Sequence, residues 1–314
     1  MIDKNSKIFL AGHNGFVGKN LLKDLRNKNY SNILTAERNK LNLLEQYAVS
    51  SFLKQHKPDY VIICAAKVGG ILPNSQKPAE FFYENLQIQA NLIHGAYLAG
   101  ITNLIFLASS CIFPRNCQQP IKEEYLYSGQ FEPTNYGYAV AKSAGVTMCK
   151  AYNEQYNVNY KSLNPCNLYG IGDNFTDSGH ALAAILRKCH LAKVNRKSYI
   201  TLWGTGVALR EWLFVKDFAD IIEKIMSRND ITESFINVGV GKEISILDLT
   251  KLIQKIIGYE CEIKFDNSVP DGMLRKTLDL SIIEQHQIKA QTKLEEGIKQ
   301  TYQWFLDNIA EEFN

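Results

Sequence analysis

The chain has 314 residues, of which 46% are hydrophobic and 21% are charged, a composition typical of globular proteins. Its 35 basic and 32 acidic residues leave a net charge of +3, too balanced to predict binding to nucleic acid or to a membrane surface. The length exceeds that of a usual single domain, so we expect a large domain and a smaller lobe.

Local features of the chain also exclude several classes of protein. The longest apolar stretch, 60–66, is far too short to span a bilayer, and the N-terminus lacks the apolar core of a signal peptide. The seven cysteines are odd in number and show no CxxC spacing, which argues against a disulfide framework and against a zinc site. We therefore predict a cytoplasmic protein with reduced cysteines and no metal.

Short apolar runs alternate with helical patterns through the first half of the chain. Residues 7–11 predict a strand, and a glycine-rich loop then leads into a helix with apolar residues at helical spacing. Further strands are predicted over 32–35, 60–64, 104–108 and 160–164, with helices near 44–56, 79–99 and 138–156. This alternation predicts an α/β fold, a Rossmann-type doubly wound parallel sheet covered by helices on both faces.

The pattern becomes more mixed after residue 170. Helices are predicted near 181–192, 216–227, 245–257 and 292–308, with strands near 199–202, 234–238 and 261–265. We expect residues 1–170 to form the dinucleotide-binding domain, with some later segments returning to its sheet. Residues 171–314 are expected to form mainly a smaller C-terminal α/β lobe.

Three glycines, Gly12, Gly15 and Gly18, follow the first predicted strand and open the first helix. Glycines there allow a tight turn and a close backbone approach, so that a pyrophosphate can rest on the helix N-terminus. Near the end of the second strand, Glu37 suits a ribose 2′-hydroxyl, whereas Arg38 suits a 2′-phosphate. Both NAD and NADP remain open, and we favour NADP.

A tyrosine and a lysine near mid-chain, Tyr138 and Lys142, have a spacing that puts both side chains on one helix face. A free phenol, with a pKa of about 10, is a poor proton donor near neutral pH, and a neighbouring ammonium favours its ionised form. Ser109 follows the fourth predicted strand, and ligands bind at the carboxyl ends of such strands. These residues predict a nicotinamide-dependent enzyme that acts on a carbonyl or alcohol.

Further motifs run in order along nearly the whole chain. They are Ala11-Gly-His-Asn-Gly-Phe-Val-Gly18, Leu41-Asn-Leu-Leu44, Ala65-Ala-Lys-Val-Gly-Gly-Ile71, Ser109-Ser-Cys-Ile-Phe-Pro114, Glu132-Pro-Thr-Asn135, Asn167-Leu-Tyr-Gly170, Asp173-Asn-Phe175, Trp203-Gly-Thr-Gly206, Arg210-Glu211, Pro270-Asp-Gly272 and Thr301-Tyr-Gln-Trp-Phe-Leu306. With these motifs the chain resembles the extended short-chain dehydrogenase/reductases and, more narrowly, the GDP-L-fucose synthase family, which epimerises and reduces GDP-4-keto-6-deoxy-D-mannose.

The resemblance implies a role for each reaction residue. Tyr138 would protonate the C4 oxygen during reduction by NADPH, and Lys142 would bind the nicotinamide ribose and tune the tyrosine. Cys111 and His180 match the family's epimerisation acid/base pair. Their chemistry is reasonable, because a C4 ketone acidifies the C–H bonds at C3 and C5, so that a thiolate can remove a proton and an acid can return one.

The resemblance also implies the ligand contacts and the oligomeric state. NADP(H) would contact Gly12, Asn14, Gly15, Phe16, Val17, Gly18, Arg38, Leu41, Ala65, Ala66, Lys67, Tyr138, Lys142, Pro165, Asn167, Leu168 and His180. The GDP-linked 4-keto-6-deoxy sugar would contact Lys188, Trp203, Arg210 and Asp271, which makes 171–314 mainly a nucleotide-sugar-binding lobe. Family members are homodimers, and helices near 79–99 and 138–156 are expected to form such an interface.

Departures from the family pattern cluster near the sugar and leave alternatives open. The segment 173–180 is shorter than usual, residues 181–184 depart from a typical Val-Ile-Pro-Ala, and Asn14 stands where many relatives carry arginine. A heptose substrate, or a C4 reductase served by a separate epimerase, therefore remains an alternative. A dehydratase is disfavoured because no carboxylate follows Ser109 closely, and a redox-inactive NADP(H)-binding regulator is disfavoured because the serine, tyrosine and lysine are all retained.

Overall fold

The computed structural model describes residues 2–176, 179–269 and 271–313. The shortened segment over 173–180 and the motif over 270–272 therefore lie partly outside the described residues. Within the described ranges, no helix has the length and apolar character needed to cross a membrane.

The regular elements alternate along the chain. The strands are β1 (Ile8–Ala11), β2 (Ile33–Leu34), β3 (Tyr60–Ile63), β4 (Asn103–Leu107), β5 (Asn159–Pro165), β6 (Asn167–Tyr169), β7 (Tyr199–Trp203), β8 (Leu209–Phe214), β9 (Phe235–Val238), β10 (Glu243–Ser245), β11 (Glu262–Asp266) and β12 (Arg275–Lys276). The helices are α1 (Phe16–Asn27), α2 (Gln46–His56), α3 (Ile71–Gln76), α4 (Pro78–Leu98), α5 (Tyr136–Tyr156), α6 (Ala181–Val194), α7 (Val215–Met226), α8 (Ile246–Ile257), α9 (Ser281–Gln285) and α10 (Leu294–Asn308).

The main sheet is parallel throughout, in the order β2-β1-β3-β4-β5-β9. The chain reverses direction across the sheet after β2, so right-handed crossovers place α1 on one face and α2, α4 and α5 on the other. Helix α7 packs beside α1, where Lys28 contacts Asp220 at 2.7 Å and Glu223 at 3.2 Å. These elements confirm the predicted fold class.

The second half of the chain builds a smaller set of sheets and helices and also returns to the main sheet through β9. Strand β8 pairs with β6, β10 and β12, while β7 pairs with β11. Helices α6, α8 and α10 pack together over a second hydrophobic cluster, separate from the cluster around the main sheet. Strand β9 lies at the edge of the main sheet, where it pairs with β5.

Four strands have no counterpart in the sequence-based prediction. Strands β6, β10 and β12 contain only two or three residues each, too few to establish a period. Strand β8 is longer, but Arg210 and Glu211 interrupt its apolar run even though the glutamate is fully buried. Pairing partners distant in sequence, and not local pattern, make these segments strands.

Helix α5 lies unusually close to β4 because residue 145 is a glycine. A Cβ atom at this position would lie 2.5 Å from Cζ of Phe106, whose side chain is fully buried. The close approach matters because α5 carries Tyr138 and Lys142, and β4 leads directly to Ser109.

Gly145→Ala should therefore lower the free energy of unfolding by about 1–3 kcal/mol, since the Phe106 ring cannot move without disturbing the core around β4. Urea denaturation followed by circular dichroism measures the change. Lys150→Ala, exposed on the same helix, is the matched control and should stay within about 0.5 kcal/mol. An unchanged stability in Gly145→Ala would show that the ring moves aside without cost.

Candidate active site

A cavity of about 500 Å³ opens at the carboxyl ends of the main-sheet strands, next to the second lobe. Residues from the glycine loop, from the segments after β3, β4 and β5, from α5 and from the C-terminal half all line it. The residues predicted for the reaction line this one cavity: Ser109, Cys111, Tyr138, Lys142 and His180. The fold thus brings together side chains that are far apart in sequence.

The segment just after β4 holds Ser109 and Cys111 against the cavity. The Ser109 hydroxyl oxygen accepts a hydrogen bond from the Cys111 backbone N–H at 3.4 Å and caps a 3-10 turn over Ser110–Ile112. Such a cap is what serine provides at helix starts, because its side chain satisfies a backbone donor that has no partner within the turn. The buried strand end and the capped turn position both residues.

Helix α5 places Tyr138 and Lys142 one turn apart on its buried face, with exposures of 9% and 3%. The Lys142 ammonium donates a hydrogen bond to the Leu107 carbonyl oxygen at 2.8 Å. It also lies 4.7 Å from the centre of the Phe106 ring. The lysine therefore ties α5 to the end of the strand that precedes Ser109.

Burial sets the ionisation of both side chains. Desolvation lowers the pKa of Lys142 to about 8, against an opposing effect of Cys64. Desolvation raises the pKa of Tyr138 well above its usual range, the sulfur of Cys111 raises it further, and a hydrogen bond with Ser109 opposes both. Burial thus outweighs the effect expected from the Lys142 ammonium, and the pKa of Tyr138 is raised overall. Tyr138 is instead held as a neutral phenol.

Cys111 has a basic neighbour that the sequence pattern did not indicate. Lys276, on β12, donates from Nζ to the Cys111 sulfur at 3.9 Å, and both residues line the cavity. The structure thus places a basic side chain next to the sulfur of Cys111.

His180 forms a close pair with Asp173, at 2.7 Å from Nδ1 to Oδ1. Burial lowers the pKa of His180, but the hydrogen bond and the charge of Asp173 outweigh this effect, so the net pKa is raised from its ordinary value. The aspartate side chain is only 1% exposed. With Nδ1 bound to the carboxylate, Nε2 is the ring nitrogen that can exchange a proton with a cavity ligand.

The glycine loop has the shape expected of a phosphate-binding turn. Gly12 has φ +87°, and a Cβ there would lie 2.5 Å from the Ala65 backbone nitrogen. A Cβ on Gly18 would lie 2.1 Å from the Gly12 carbonyl oxygen, so glycine lets α1 begin directly against the loop. No side chain caps α1 at Gly15, which leaves its first N–H groups open to an anion.

These features fit a dinucleotide. The residues that would hold it are those of the predicted cofactor set that line the cavity: Gly15, Phe16, Val17, Ala66, Tyr138, Lys142, Pro165, Asn167, Leu168 and His180. The remaining predicted cofactor residues lie outside the cavity lining: Gly12, Asn14, Gly18, Arg38, Leu41, Ala65 and Lys67.

The side chains of two residues outside the lining make contacts away from the cavity. The Lys67 ammonium lies 2.6 Å from Glu80 and 2.5 Å from Glu84, so its side chain is directed to α4. Leu41 is a buried core residue. Gly12 and Gly18 shape the loop without lining the cavity, as their close backbone contacts require.

The two candidates for adenine-ribose recognition differ in their surroundings. Glu37 accepts hydrogen bonds from Asn14 at 2.7 Å and from His13 at 3.2 Å, so its carboxylate is tied to the glycine loop. Arg38 is exposed in the following turn, and a guanidinium is chemically suited to pair with a 2′-phosphate.

Residues predicted to contact the substrate lie on the lobe side of the cavity. Lys188 donates to the Thr201 carbonyl oxygen at 2.9 Å and lies 5.3 Å from the Trp203 ring, which is 40% exposed. Arg210 donates to the Asp271 carbonyl oxygen at 3.2 Å, and burial lowers the pKa of this arginine. All four predicted substrate residues therefore line the cavity together.

The carboxylate of Asp271 has a structural partner that the sequence did not suggest. Its oxygens accept hydrogen bonds from the Thr205 backbone N–H at 2.8 Å and from the Thr205 hydroxyl at 2.7 Å. Asp271 thereby holds the turn that follows β7, next to Trp203. Any contact that it makes with a ligand would use its remaining lone pairs.

Sequence reasoning missed Asp173 and Lys276 as residues of the site. Asp173 belongs to a motif noted above and lies in the same loop as His180, so its short separation from the histidine was a usable signal. Lys276 is the second residue of the two-residue strand β12, and no local pattern distinguishes it from a surface lysine.

Comparison with known protein families gives one match over most of the chain. Residues 8–239 match the NAD dependent epimerase/dehydratase family. GDP-L-fucose synthase 1 from Arabidopsis thaliana is 43% identical over 98% of this chain and 96% of its own length. GDP-L-fucose synthase from Escherichia coli (strain K12) is 40% identical over 96% of this chain and 97% of its own length.

Solved structures show the same similarity. The GDP-mannoheptose C4 reductase from Campylobacter jejuni, solved with NADP bound, superposes with a TM-score of 0.88 at 35% identity, covering 98% of this chain and all 100% of that chain. Similarity thus extends to fucose synthases and to a heptose reductase alike, and the resemblance inferred from the sequence motifs is confirmed.

Asp173→Asn should lower the pKa of His180, as followed by NMR titration of the imidazole, because the neutral amide no longer stabilises the imidazolium. The folded pKa of His180 is raised above 6.5, so the pair stabilises the fold fully below that pH and the contribution is lost as pH rises through the folded value. The variant should therefore lose more stability near about pH 5.5 than near about pH 8.5.

His190, which contacts Tyr302 at 3.2 Å, is the internal reference in the same spectra, and its titration should not move. A His180 titration that Asp173→Asn leaves unchanged would mean that the pair does not control the charge of the ring.

Proposed function

We propose that this chain, which belongs to the NAD dependent epimerase/dehydratase family, reduces the C4 ketone of a GDP-linked 4-keto-6-deoxy sugar and epimerises C3 and C5. The observation that carries the proposal is the shared cavity. A proton donor for a carbonyl oxygen, Tyr138, and a possible base and acid for C–H exchange, Cys111 and His180, all line it. Similarity to GDP-L-fucose synthases over nearly the whole chain supports the same reaction.

The cofactor of the proposed reaction is NADP(H). The uncapped start of α1, the glycine loop and the exposed Arg38 suit its phosphates, and a relative at 35% identity was solved with NADP bound. NADPH bound there would supply hydride to the C4 carbon of the sugar. Lys142, at the inner end of the cavity, would hold the nicotinamide ribose.

Reduction requires a proton at the C4 oxygen. Tyr138 is suited to donate it, because burial keeps the phenol protonated. Ser109, which hydrogen-bonds with that phenol, can share the same substrate oxygen. The Lys142 ammonium, with its pKa near 8, stabilises the phenolate as it forms.

Epimerisation uses the same C4 ketone, which accepts the electron pair of the broken C–H bond. The Cys111 thiolate removes a proton from C3 or C5, and the electron pair of the C–H bond moves to the C4 oxygen as an enolate. Tyr138 and Ser109 stabilise that oxygen by hydrogen bonding. His180, whose imidazolium form the Asp173 carboxylate stabilises, returns a proton to the opposite face of the same carbon, and Cys111 is left as the thiol.

The C-terminal half of the chain is proposed to bind the GDP moiety. Lys188 and Arg210 bring positive charge to the cavity, which suits a diphosphate, and the half-exposed Trp203 ring offers an apolar face for a sugar or base. We propose on this basis that residues 1–170, joined by β9 and α7, hold the cofactor, while 171–314 mainly hold the nucleotide sugar.

We also propose a homodimer formed through α4 and α5. Several large apolar side chains on or beside these helices are exposed, namely Phe82, Tyr83, Tyr136 and Val140, with exposures of 38%, 59%, 55% and 36%. Apolar groups clustered on adjacent helices suit a protein–protein contact.

A second candidate function is C4 reduction alone, on a heptose that another enzyme has epimerised. The similarity to the C. jejuni GDP-mannoheptose C4 reductase favours it. Hexose and heptose substrates differ beyond C5.

The experiment that tests the proposal is product analysis in deuterated water. GDP-4-keto-6-deoxy-mannose and its heptose counterpart are each incubated with the protein and NADPH, and the products are examined by mass spectrometry and NMR. Deuterium at C3 and C5 reports epimerisation, and NADPH consumption reports reduction. NADPH consumption without deuterium identifies a reductase only, and the absence of both rejects the proposed function.

Tyr138→Phe should lower kcat for reduction by about two to four orders of magnitude, the range for loss of a general acid, while NADPH binding measured by fluorescence titration persists. Tyr136→Phe, two positions earlier on the same helix and 55% exposed, is the matched control and should keep wild-type kcat. Near-normal kcat in Tyr138→Phe would remove the tyrosine from this role.

Cys111→Ser should separate the two half-reactions, because an alcohol cannot ionise usefully near neutral pH. Deuterium uptake at C3 and C5 should fall by about a hundredfold or more. Reduction of a ketone that is already epimerised should stay within about tenfold of wild type, since Ser109, Tyr138 and Lys142 are intact. Cys117→Ser, which changes a cysteine outside the cavity lining, is the control. Equal losses in both half-reactions would contradict the split.

A further inference from the structure

Lys276 is a nearly buried cation with an unusual partner. Lys276 is only 9% exposed, and it lines the cavity. The Lys276 ammonium donates from Nζ to the Cys111 sulfur at 3.9 Å. Within residues 2–176, 179–269 and 271–313, this is its single hydrogen bond. A buried ammonium is costly unless a negative group lies near it, and a thiolate at Cys111 would be such a group.

The backbone on both sides of Lys276 is fixed. Strand β12 pairs with β8 in parallel, with Lys276 opposite Arg210. The next residue, Thr277, accepts a hydrogen bond from the Ile121 backbone N–H at 2.7 Å and donates its own N–H to Gln119 at 2.8 Å. Pairing with β8 on one side and the hydrogen bonds of Thr277 on the other hold β12 in register, which keeps Lys276 next to Cys111.

Charged and titratable groups lie on both sides of the pair. On the Cys111 side lie Tyr138, whose pKa the Cys111 sulfur raises, and Arg210, whose ionisation it also affects. On the other side of Lys276 lies Cys166, which interacts electrostatically with both Lys276 and the buried Glu211. Burial raises the pKa of Glu211 to about 7. Lys276 is thus the group with a direct hydrogen bond to the sulfur.

We infer that Lys276 is a positioning residue that holds the Cys111 sulfur in its anionic form, ready to accept a proton from carbon. The inference rests on the proposed epimerisation, for which it names the source of the base. Lys276 acts through Cys111, by charge and by one hydrogen bond, and it leaves the reductive half-reaction to Ser109, Tyr138 and Lys142.

The test measures the thiolate directly, in the full-length protein without cofactor or sugar. The rate of Cys111 alkylation by iodoacetamide is followed as a function of pH, with the modified peptide quantified by mass spectrometry, since only the thiolate reacts. In Lys276→Met the pH of half-maximal rate should rise by about one unit, a tenfold loss of thiolate at a given pH below it. Lys276→Arg should keep most of the wild-type profile, because it retains the charge.

Two controls make the measurement specific. Lys188→Met removes another cavity lysine, whose ammonium donates to the Thr201 carbonyl oxygen, and should leave the Cys111 profile unchanged. Lys276→Gln is measured beside Lys276→Met, so that a folding defect in one variant, detected by circular dichroism, does not decide the result.

A second readout separates this role from direct binding of the sugar nucleotide. If Lys276 only maintains the thiolate, deuterium exchange at C3 and C5 in Lys276→Met should be weak at neutral pH and recover toward wild type as pH rises. Reduction of a ketone that is already epimerised should change little. An alkylation profile identical to wild type in the Lys276 variants overturns the inference, whereas a shifted profile in a protein that never exchanges deuterium supports it and rejects only the epimerase activity.

Discussion

The hydrogen bond from the buried Lys142 ammonium to the Leu107 carbonyl oxygen is the interaction on which the site depends. It joins α5 to the end of β4, and the same helix carries Tyr138 while the same strand leads to Ser109. Gly145 allows this approach of α5 to β4, since a Cβ there would lie 2.5 Å from Cζ of Phe106. Moving α5 outward by the width of a methyl group would separate the phenol from the serine and leave a buried ammonium without its acceptor, which is costly.

Exclusion of water gives the site its proton chemistry. The same desolvation lowers the pKa of Lys142 and raises the pKa of Tyr138. Near neutral pH the lysine is therefore close to its pKa of about 8, while the phenol is protonated. At His180 burial is overcome, because the buried Asp173 carboxylate lies 2.7 Å away. Burial alone therefore does not decide the charge of a group in the cavity, and a hydrogen-bonded partner of opposite charge can reverse its effect.

The C-terminal half completes the cavity through segments that return across long stretches of sequence. Strand β8 carries Arg210, and β12 beside it carries Lys276 to the sulfur of Cys111. The turn after β7 is held by Asp271, next to Trp203 at the cavity edge. This side of the cavity is thus built on short strands, which are held in place by their pairing with neighbouring strands. A small shift in these segments would change how a ligand fits the cavity before it changed the fold.

The amino-acid sequence by itself indicated the alternating elements and the parallel main sheet, and it singled out Tyr138 and Lys142 as candidate reaction residues, because apolar periodicity, the glycine loop and the spacing of these two residues are local signals. Tertiary structure alone decided which charges meet. The pairing of Lys276 with Cys111, the turn of Lys67 toward α4 and the neutral state of Tyr138 all depend on burial and on contacts between distant segments. Local sequence pattern indicates neither the burial of a charged residue nor its distant contacts. In a two-residue strand, a buried lysine has the same local sequence pattern as an exposed one.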